Sequence, residues 1–259
     1  MSDKKIFFFD IDGTLAIGKT IPESTKTALK KLKNLGYYLF ICTGRPYQYA
    51  FKYFQKYVDG FISSNGRYIV YHNDVIVDKP LTQEQIRYFV RVMRKHHCGF
   101  AFLNHDHGYL ESDNQDIIQK SIESYYPGYY LLQFDDCDIQ GYMFDIYCRD
   151  AFHLQKVQKE LKDMIIFNRH YPFYSADATI LGIDKGYGID QVLDYFHISL
   201  KNAYAFGDGT NDICMFSHVG HSIAMGNAID ILKEKAEYVT TSIHEDGIYK
   251  ALQYYQIID

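Results

Sequence analysis

Ile6-Phe7-Phe8-Phe9-Asp10-Ile11-Asp12-Gly13-Thr14-Leu15 decides how this chain is read. Four consecutive apolar residues predict a strand buried on both faces, as in a parallel sheet, and the open end of such a strand is where α/β proteins bind ligands. Two carboxylates delivered there repel each other and lose solvation, so a cation or a functional demand must offset the cost. A hard divalent ion is the simplest answer: magnesium takes one or two protein carboxylates and fills its other positions with water and phosphate oxygens. Taken alone, the stretch has a plainer reading, in which Asp10 caps a turn and Asp12-Gly13 is ordinary turn chemistry. The rest of the chain decides between them.

A chain of 259 residues suggests a main domain plus a second module, and its 47% hydrophobic share supplies an ordinary core. The net charge of −5 and the lack of a Lys/Arg block leave no field for nucleic acid, so phosphate must be captured locally. The five cysteines, Cys42, Cys98, Cys137, Cys148 and Cys214, are scattered without C-x-x-C spacing, which argues against a disulfide framework or a zinc site and for small buried side chains. Lys4 and Lys5 precede an apolar run that Asp10 ends too early for a signal-peptide core. Without a stretch long enough to span a bilayer, the expectation is a cytoplasmic protein with no membrane partner.

Outward from the first strand, Ile21-Pro22-Glu23-Ser24 opens a predicted helix whose Ala28, Leu29, Leu32 and Leu35 recur at helical spacing and which Gly36 ends. Tyr37 to Cys42 predicts a second strand running into Thr43-Gly44-Arg45-Pro46. A helix over 47–57 and a strand over 60–64 follow. The same rhythm returns near the C-terminus. Helices are predicted over 190–196, 211–219, 228–236 and from about 245, with strands over 203–206, 221–225 and 238–240. Between these halves, strands such as Tyr142 to Tyr147 alternate more, and helices are predicted over 83–97 and 151–162. The expectation is an α/β core formed by 1–81 and 183–259, interrupted by an α+β module over 82–182 that acts as a cap.

Three further groups fall where a phosphate-handling centre needs them. Thr43 and Gly44, at the end of the second strand, offer a hydroxyl and a bare backbone N–H to a phosphate oxygen. Lys185 stands where the chain re-enters the core. A lone lysine is ordinarily a solvated surface charge, but this position lets its ammonium reach the same pocket. Gly207-Asp208-Gly209-Thr210-Asn211-Asp212 again places carboxylates at a strand end and on the first turn of a helix. Capping accounts for part of this but not for so many acids. Together they suggest a magnesium cradle with Asp10 and Asp208 as ligands, and Asp212 as a ligand or as the group that orients the ligands.

With these motifs in place the chain resembles the haloacid dehalogenase superfamily phosphatases of the Cof type. The resemblance is carried by Asp10-Ile11-Asp12-Gly13-Thr14, Thr43-Gly44-Arg45, Lys185-Gly186 and Gly207 to Asp212, and by the C-terminal segments Ala224 to Ala228 and Glu245 to Ile248. It implies a Rossmann-like parallel-sheet core and an inserted α/β cap. It also implies an aspartyl-phosphate mechanism, in which Asp10 is the nucleophile and Asp12 the acid that protonates the leaving oxygen and then activates water. Mg²⁺ would be held by the Asp10 carboxylate, the Asp12 backbone carbonyl and Asp208. Thr43, Gly44, Lys185 and Asn211 would hold phosphoryl oxygens, with Asp212 orienting the set. Arg67 departs from the family, which commonly has a small residue there, without touching the chemistry.

The expected activity is magnesium-dependent hydrolysis of a small phosphorylated metabolite, a sugar phosphate or related phosphomonoester, by a monomer or small homo-oligomer. A sugar phosphomutase, which returns the phosphoryl group before water takes it, and an idle phosphometabolite sensor are the alternatives. Within the insertion, Asn104, His105, Asp106, His107 and Tyr109 form a polar cluster that reads as a solvated hairpin loop or as part of a substrate roof.

Overall fold

A computed structural model of the protein describes residues 4–125, 128–170 and 173–259. The first part of the core runs β1 (Ile6–Phe9), α1 (Glu23–Asn34), β2 (Tyr38–Cys42), α2 (Tyr47–Phe54), β3 (Gly60–Ser63), β4 (Tyr68–Tyr71) and β5 (Asp74–Asp78). The insertion follows with α3 (Gln83–Lys95), β6 (Gly99–Leu103), β7 (Gly108–Glu111), α4 (Gln115–Ser124), β8 (Tyr130–Leu131), β9 (Met143–Tyr147), α5 (Ala151–Leu161), β10 (Ile165–His170) and β11 (Ser175–Ile180). The core then resumes with α6 (Lys185–Phe196), β12 (Ala203–Gly207), α7 (Ile213–Phe216), β13 (His221–Ala224), α8 (Asp230–Lys235), β14 (Tyr238–Val239) and α9 (Gly247–Tyr254).

In the core sheet the order is β14-β13-β12-β1-β2-β3-β4-β5, and the run from β14 to β3 is parallel throughout. All four residues of β1 are fully buried, and Phe7 and Phe9 stack on Tyr204 and Phe206, their register partners in β12. From β1 the chain proceeds to β2 and β3 on one side, and from β12 to β13 and β14 on the other. The order therefore reverses between β1 and β12, the kind of crevice where open α/β sheets bind ligands. β4 and β5 extend this sheet as an antiparallel ribbon, which the sequence reading had not assigned as strands.

Three helices differ from expectation in instructive ways. Leu35 is half exposed rather than buried, because α1 stops at Asn34 and Gly36, at φ +74°, turns the chain back towards β2. α6 starts at Lys185, five residues before the predicted helix: Asp184 caps it by accepting from the Tyr187 N–H at 2.9 Å, and Gly186 and Gly188 in its first turns had hidden it. The helix expected over 211–219 is a 3₁₀ turn, Thr210–Asp212, followed by the single turn of α7.

Lys79–Gly182 forms a second compact unit, separate from residues up to Asp78 with Ile183–Asp259. Leu81 goes with this unit, since its N–H bonds the Gly141 carbonyl at 2.8 Å and its side chain joins the unit's apolar core. Its sheet has the order β10-β11-β9-β6-β7-β8. One face, with Phe100, Phe102, Phe144, Ile146, Ala176 and Ala178, packs with α3 and α5 through Phe89, Met93, Val157 and Leu161. Asn104 to His107 is the β6–β7 hairpin loop, closed by Asn104 N–H to the His107 carbonyl at 2.8 Å and by His107 against the Tyr109 hydroxyl at 3.0 Å. Among the described residues no helix is long and apolar enough to cross a membrane.

Candidate active site

The sheet brings Asp10 and Asp208 side by side, because each directly follows one of two paired parallel strands. Asp10 extends the ladder by donating its N–H to the Phe206 carbonyl at 3.0 Å. Past β12 the chain tightens into the 3₁₀ turn, and the Asp208 and Gly209 N–H groups both donate to Asp212 Oδ2, at 2.9 and 2.8 Å. The other oxygen, Asp212 Oδ1, accepts from Lys185 Nζ at 2.6 Å, and the same ammonium reaches Asp10 Oδ1 at 2.6 Å. Lys185, in the first turn of α6, has no exposed surface and so bridges two acids out of reach of water.

Asp208 is steered by Thr14, whose hydroxyl donates to its Oδ1 at 2.6 Å. Gly13 makes that approach possible: its φ of +87° favours glycine, and a Cβ there would overlap the Asp208 carboxylate. Oxygens of Asp10, Asp208 and Asp212 all lie within 4.8 Å of one another. Three carboxylates thus share one ammonium, leaving two formal negative charges in excess. Burial, with the Asp212 and Asp208 charges added, pushes the Asp10 carboxyl up to about 8 even though Lys185 opposes the shift. Burial also pushes Asp208 up to about 6. For Lys185, burial alone would weaken the charged form, but Asp10 and Asp212 outweigh it and hold the ammonium well above the ordinary lysine value. Protons are favoured on Asp10 and Asp208 because burial penalises their charged forms and is offset by little nearby positive charge. An all-oxygen donor set of this spacing fits a hard divalent cation that would supply it.

Asp12 lies outside this group. Its carboxylate turns to Arg45, which meets it with two nitrogens at 3.0 and 3.2 Å and lays its guanidinium 4.9 Å from the centre of the Tyr49 ring. Thr43 is buried, with its N–H on the Ile62 carbonyl at 2.8 Å and its hydroxyl accepting from the Arg45 N–H at 3.1 Å. Gly44 brings its backbone against two amides: a Cβ there would stand 3.3 Å from Asn65 Oδ1 and 3.7 Å from Asn211 Nδ2. The structure therefore gathers Asp10, Asp208, Asp212 and Lys185 into one cluster, places Gly44 beside Asn211, and directs the Asp12 side chain elsewhere.

Sequence reasoning missed three contacts here: Arg45 with Asp12, Thr14 with Asp208, and the clamp made by Asn227. The first was open to view, since Asp12 and Arg45 each stand three residues past the end of adjacent parallel strands. Asn227 donates to the Gly13 carbonyl at 2.9 Å and accepts from the Ile243 N–H at 2.9 Å, tying the turn after β1 to the segment before α9. No spacing in the sequence announces such a long-range bond.

A family model described as haloacid dehalogenase-like hydrolase matches residues 7–252. The Bacillus subtilis (strain 168) protein YkrA is 32% identical over 259 residues, with 97% of each chain covered. The 5-amino-6-(5-phospho-D-ribitylamino)uracil phosphatase YitU, also of Bacillus subtilis (strain 168), is 26% identical over 263 residues, with 95% of each chain covered. Among solved structures, the HAD subclass IIB sugar phosphatase BT4131 matches with a TM-score of 0.86 and 30% identity, over 98% of this chain and 100% of that one.

Proposed function

This chain belongs to the haloacid dehalogenase-like hydrolases as a Cof-type phosphatase, a phosphoric monoester hydrolase, and from that premise we propose that it cleaves small sugar phosphates or related phosphomonoesters with Mg²⁺ through an aspartyl-phosphate. The observation that carries the reading is the lysine-bridged carboxylate cluster at the ends of β1 and β12.

In this proposal Lys185 engages Oδ1 of Asp10 and leaves Oδ2 to attack phosphorus, forming an acyl phosphate as the ester P–O bond breaks. Asp12, having left Arg45, gives its proton to the departing oxygen. It then takes a proton from water, whose oxygen attacks the phosphoryl group, releasing phosphate and restoring the Asp10 carboxylate. Thr43, Gly44, Lys185 and Asn211 hold the phosphoryl oxygens, and Asp212 keeps Lys185 in place through its 2.6 Å bond. The Asp10, Asp208 and Asp212 carboxylates, with the Asp12 backbone carbonyl, are the groups that would hold Mg²⁺. When bound, the ion supplies the charge that lets an anionic nucleophile approach an anionic phosphate.

The substrate class draws support from the relatives. YitU is named for a phosphoribityl compound and BT4131 for sugar phosphates, both phosphate esters on hydroxylated carbon chains. In this proposal the choice of leaving group falls to the inserted unit, Lys79–Gly182. Phosphate release from p-nitrophenyl phosphate and a panel of sugar phosphates tests the proposal. Asp10→Asn should lose turnover while keeping the wild-type circular dichroism spectrum, and chelating the metal should silence the unaltered enzyme. Unchanged turnover in either case overturns it.

A further inference from the structure

Cys98 immediately precedes β6, and Cys148 immediately follows β9. The two strands are antiparallel neighbours with Gly99 opposite Tyr147, so one step further along the same register sets Cys98 opposite Cys148. Facing residues in such a pair have Cα atoms about 4.5–5.5 Å apart, inside the span of about 4.4–6.8 Å that a disulfide bridges. The Cys98 thiol donates to the His96 carbonyl at 3.6 Å, so its hydrogen-bond partner is main chain rather than a side chain. Both cysteines are free and buried, and both main chains are anchored, Cys98 N–H on the Met93 carbonyl at 3.0 Å and Cys148 N–H on the Tyr174 carbonyl at 2.9 Å. Bond formation therefore needs side-chain rotation and no rebuilding of the strands.

We propose that Cys98 and Cys148 are a redox-active pair, oxidised by a peroxide to an intramolecular disulfide and returned to thiols by a small dithiol. The Cys98 thiolate attacks one peroxide oxygen, the O–O bond breaks, and Cys98 becomes a sulfenic acid as hydroxide leaves and is protonated to water. Cys148 sulfur then attacks the Cys98 sulfur, the S–O bond breaks, and the hydroxyl departs as water with the Cys148 proton. Two thiols and one peroxide thus give one disulfide and two waters. The order of attack follows from the pairing of the two thiols, which favours the thiolate on Cys98 and shifts Cys148 the other way. Hydrogen peroxide is close to water in size, so a nearly covered sulfur remains within its reach.

The test uses the full chain, treated with hydrogen peroxide, unfolded, alkylated and digested for mass spectrometry. The expected result is a linked Cys98–Cys148 peptide, lost on treatment with dithiothreitol, with alkylatable cysteines falling from the five of the untreated chain to three. Cys42 and Cys214 should stay alkylated, and a Cys137→Ser background removes cross-linking through the one exposed cysteine among the five. In Cys148→Ser the linked peptide should vanish and Cys98 should be trapped by dimedone as its sulfenic acid. If Cys98 and Cys148 remain fully alkylated after peroxide, or are oxidised no faster than Cys42, the proposal is overturned.

Discussion

In the inserted unit, Arg94 meets Glu111 at 2.7 Å and Asp136 at 2.7 Å on a surface where all three side chains are 38–45% exposed; in the core, Lys185 meets Asp10 and Asp212 at 2.6 Å with its own side chain wholly covered. Each is one cation bridging two carboxylates, yet the consequences differ. Around Arg94, water solvates every charge, and the contacts lower the Asp136 carboxyl through its hydrogen bond to Arg94. Around Lys185, burial drives Asp10 and Asp208 upward instead, helped by the Asp212 charge at both and by the Asp208 charge at Asp10. The same ion-pair arithmetic is surface decoration in one unit and an unmet demand for positive charge in the other.

The contrast breaks most visibly at the nucleophile. Asp10→Asn should lower kcat by at least about 10⁴-fold, the scale seen when a covalent nucleophile is removed, in single-turnover phosphate release. Next comes Lys185→Met, which leaves Asp10 and Asp212 buried without their cation: chemical denaturation of the metal-free protein should show a loss of about 3–5 kcal/mol. Acidity gives a smaller signal. The folded values of Asp10 and Asp208, about 8 and about 6, exceed their ordinary 3.8, so between these limits the folded protein binds more protons than the unfolded chain. Stability without metal should accordingly fall as pH rises through that window. Mg²⁺ should raise the melting temperature more at about pH 8 than at about pH 5, because metal and protons compete for the same oxygens. An equal rise at both would break the link between the carboxyl shifts and the cation. Smallest of all, Arg94→Ala should cost under about 1 kcal/mol and leave kcat unchanged, which checks that the surface bridge is energetically slight.

Legibility in the sequence follows the same division. Asp10, Asp208 and Asp212 could be found because each stands at a strand end or on the following turn, where short motifs report position directly. Lys185 could be found from the seam of the insertion, although its helix was hidden by Gly186 and Gly188. The Arg45 bond to Asp12 can be read once β1 and β2 are taken as neighbours, whereas the Asn227 clamp cannot, since it joins turns far apart in the chain. The ribbon of β4 and β5 gives a weak apolar signal, because β5 buries only Val77 and β4 only its two central residues. In the insertion, the meeting of Cys98 and Cys148 depends wholly on strand register, which scattered cysteines do not disclose.

Calorimetric titration of Mg²⁺ into the wild-type protein and Asp208→Asn at about pH 8 tests the central claim most directly. The account predicts one ion bound per wild-type chain and affinity reduced at least about tenfold in the variant, as expected when a carboxylate ligand loses its charge. Equal affinity in the two proteins would contradict it, because the carboxylates at the ends of β1 and β12 would then not be sharing a cation.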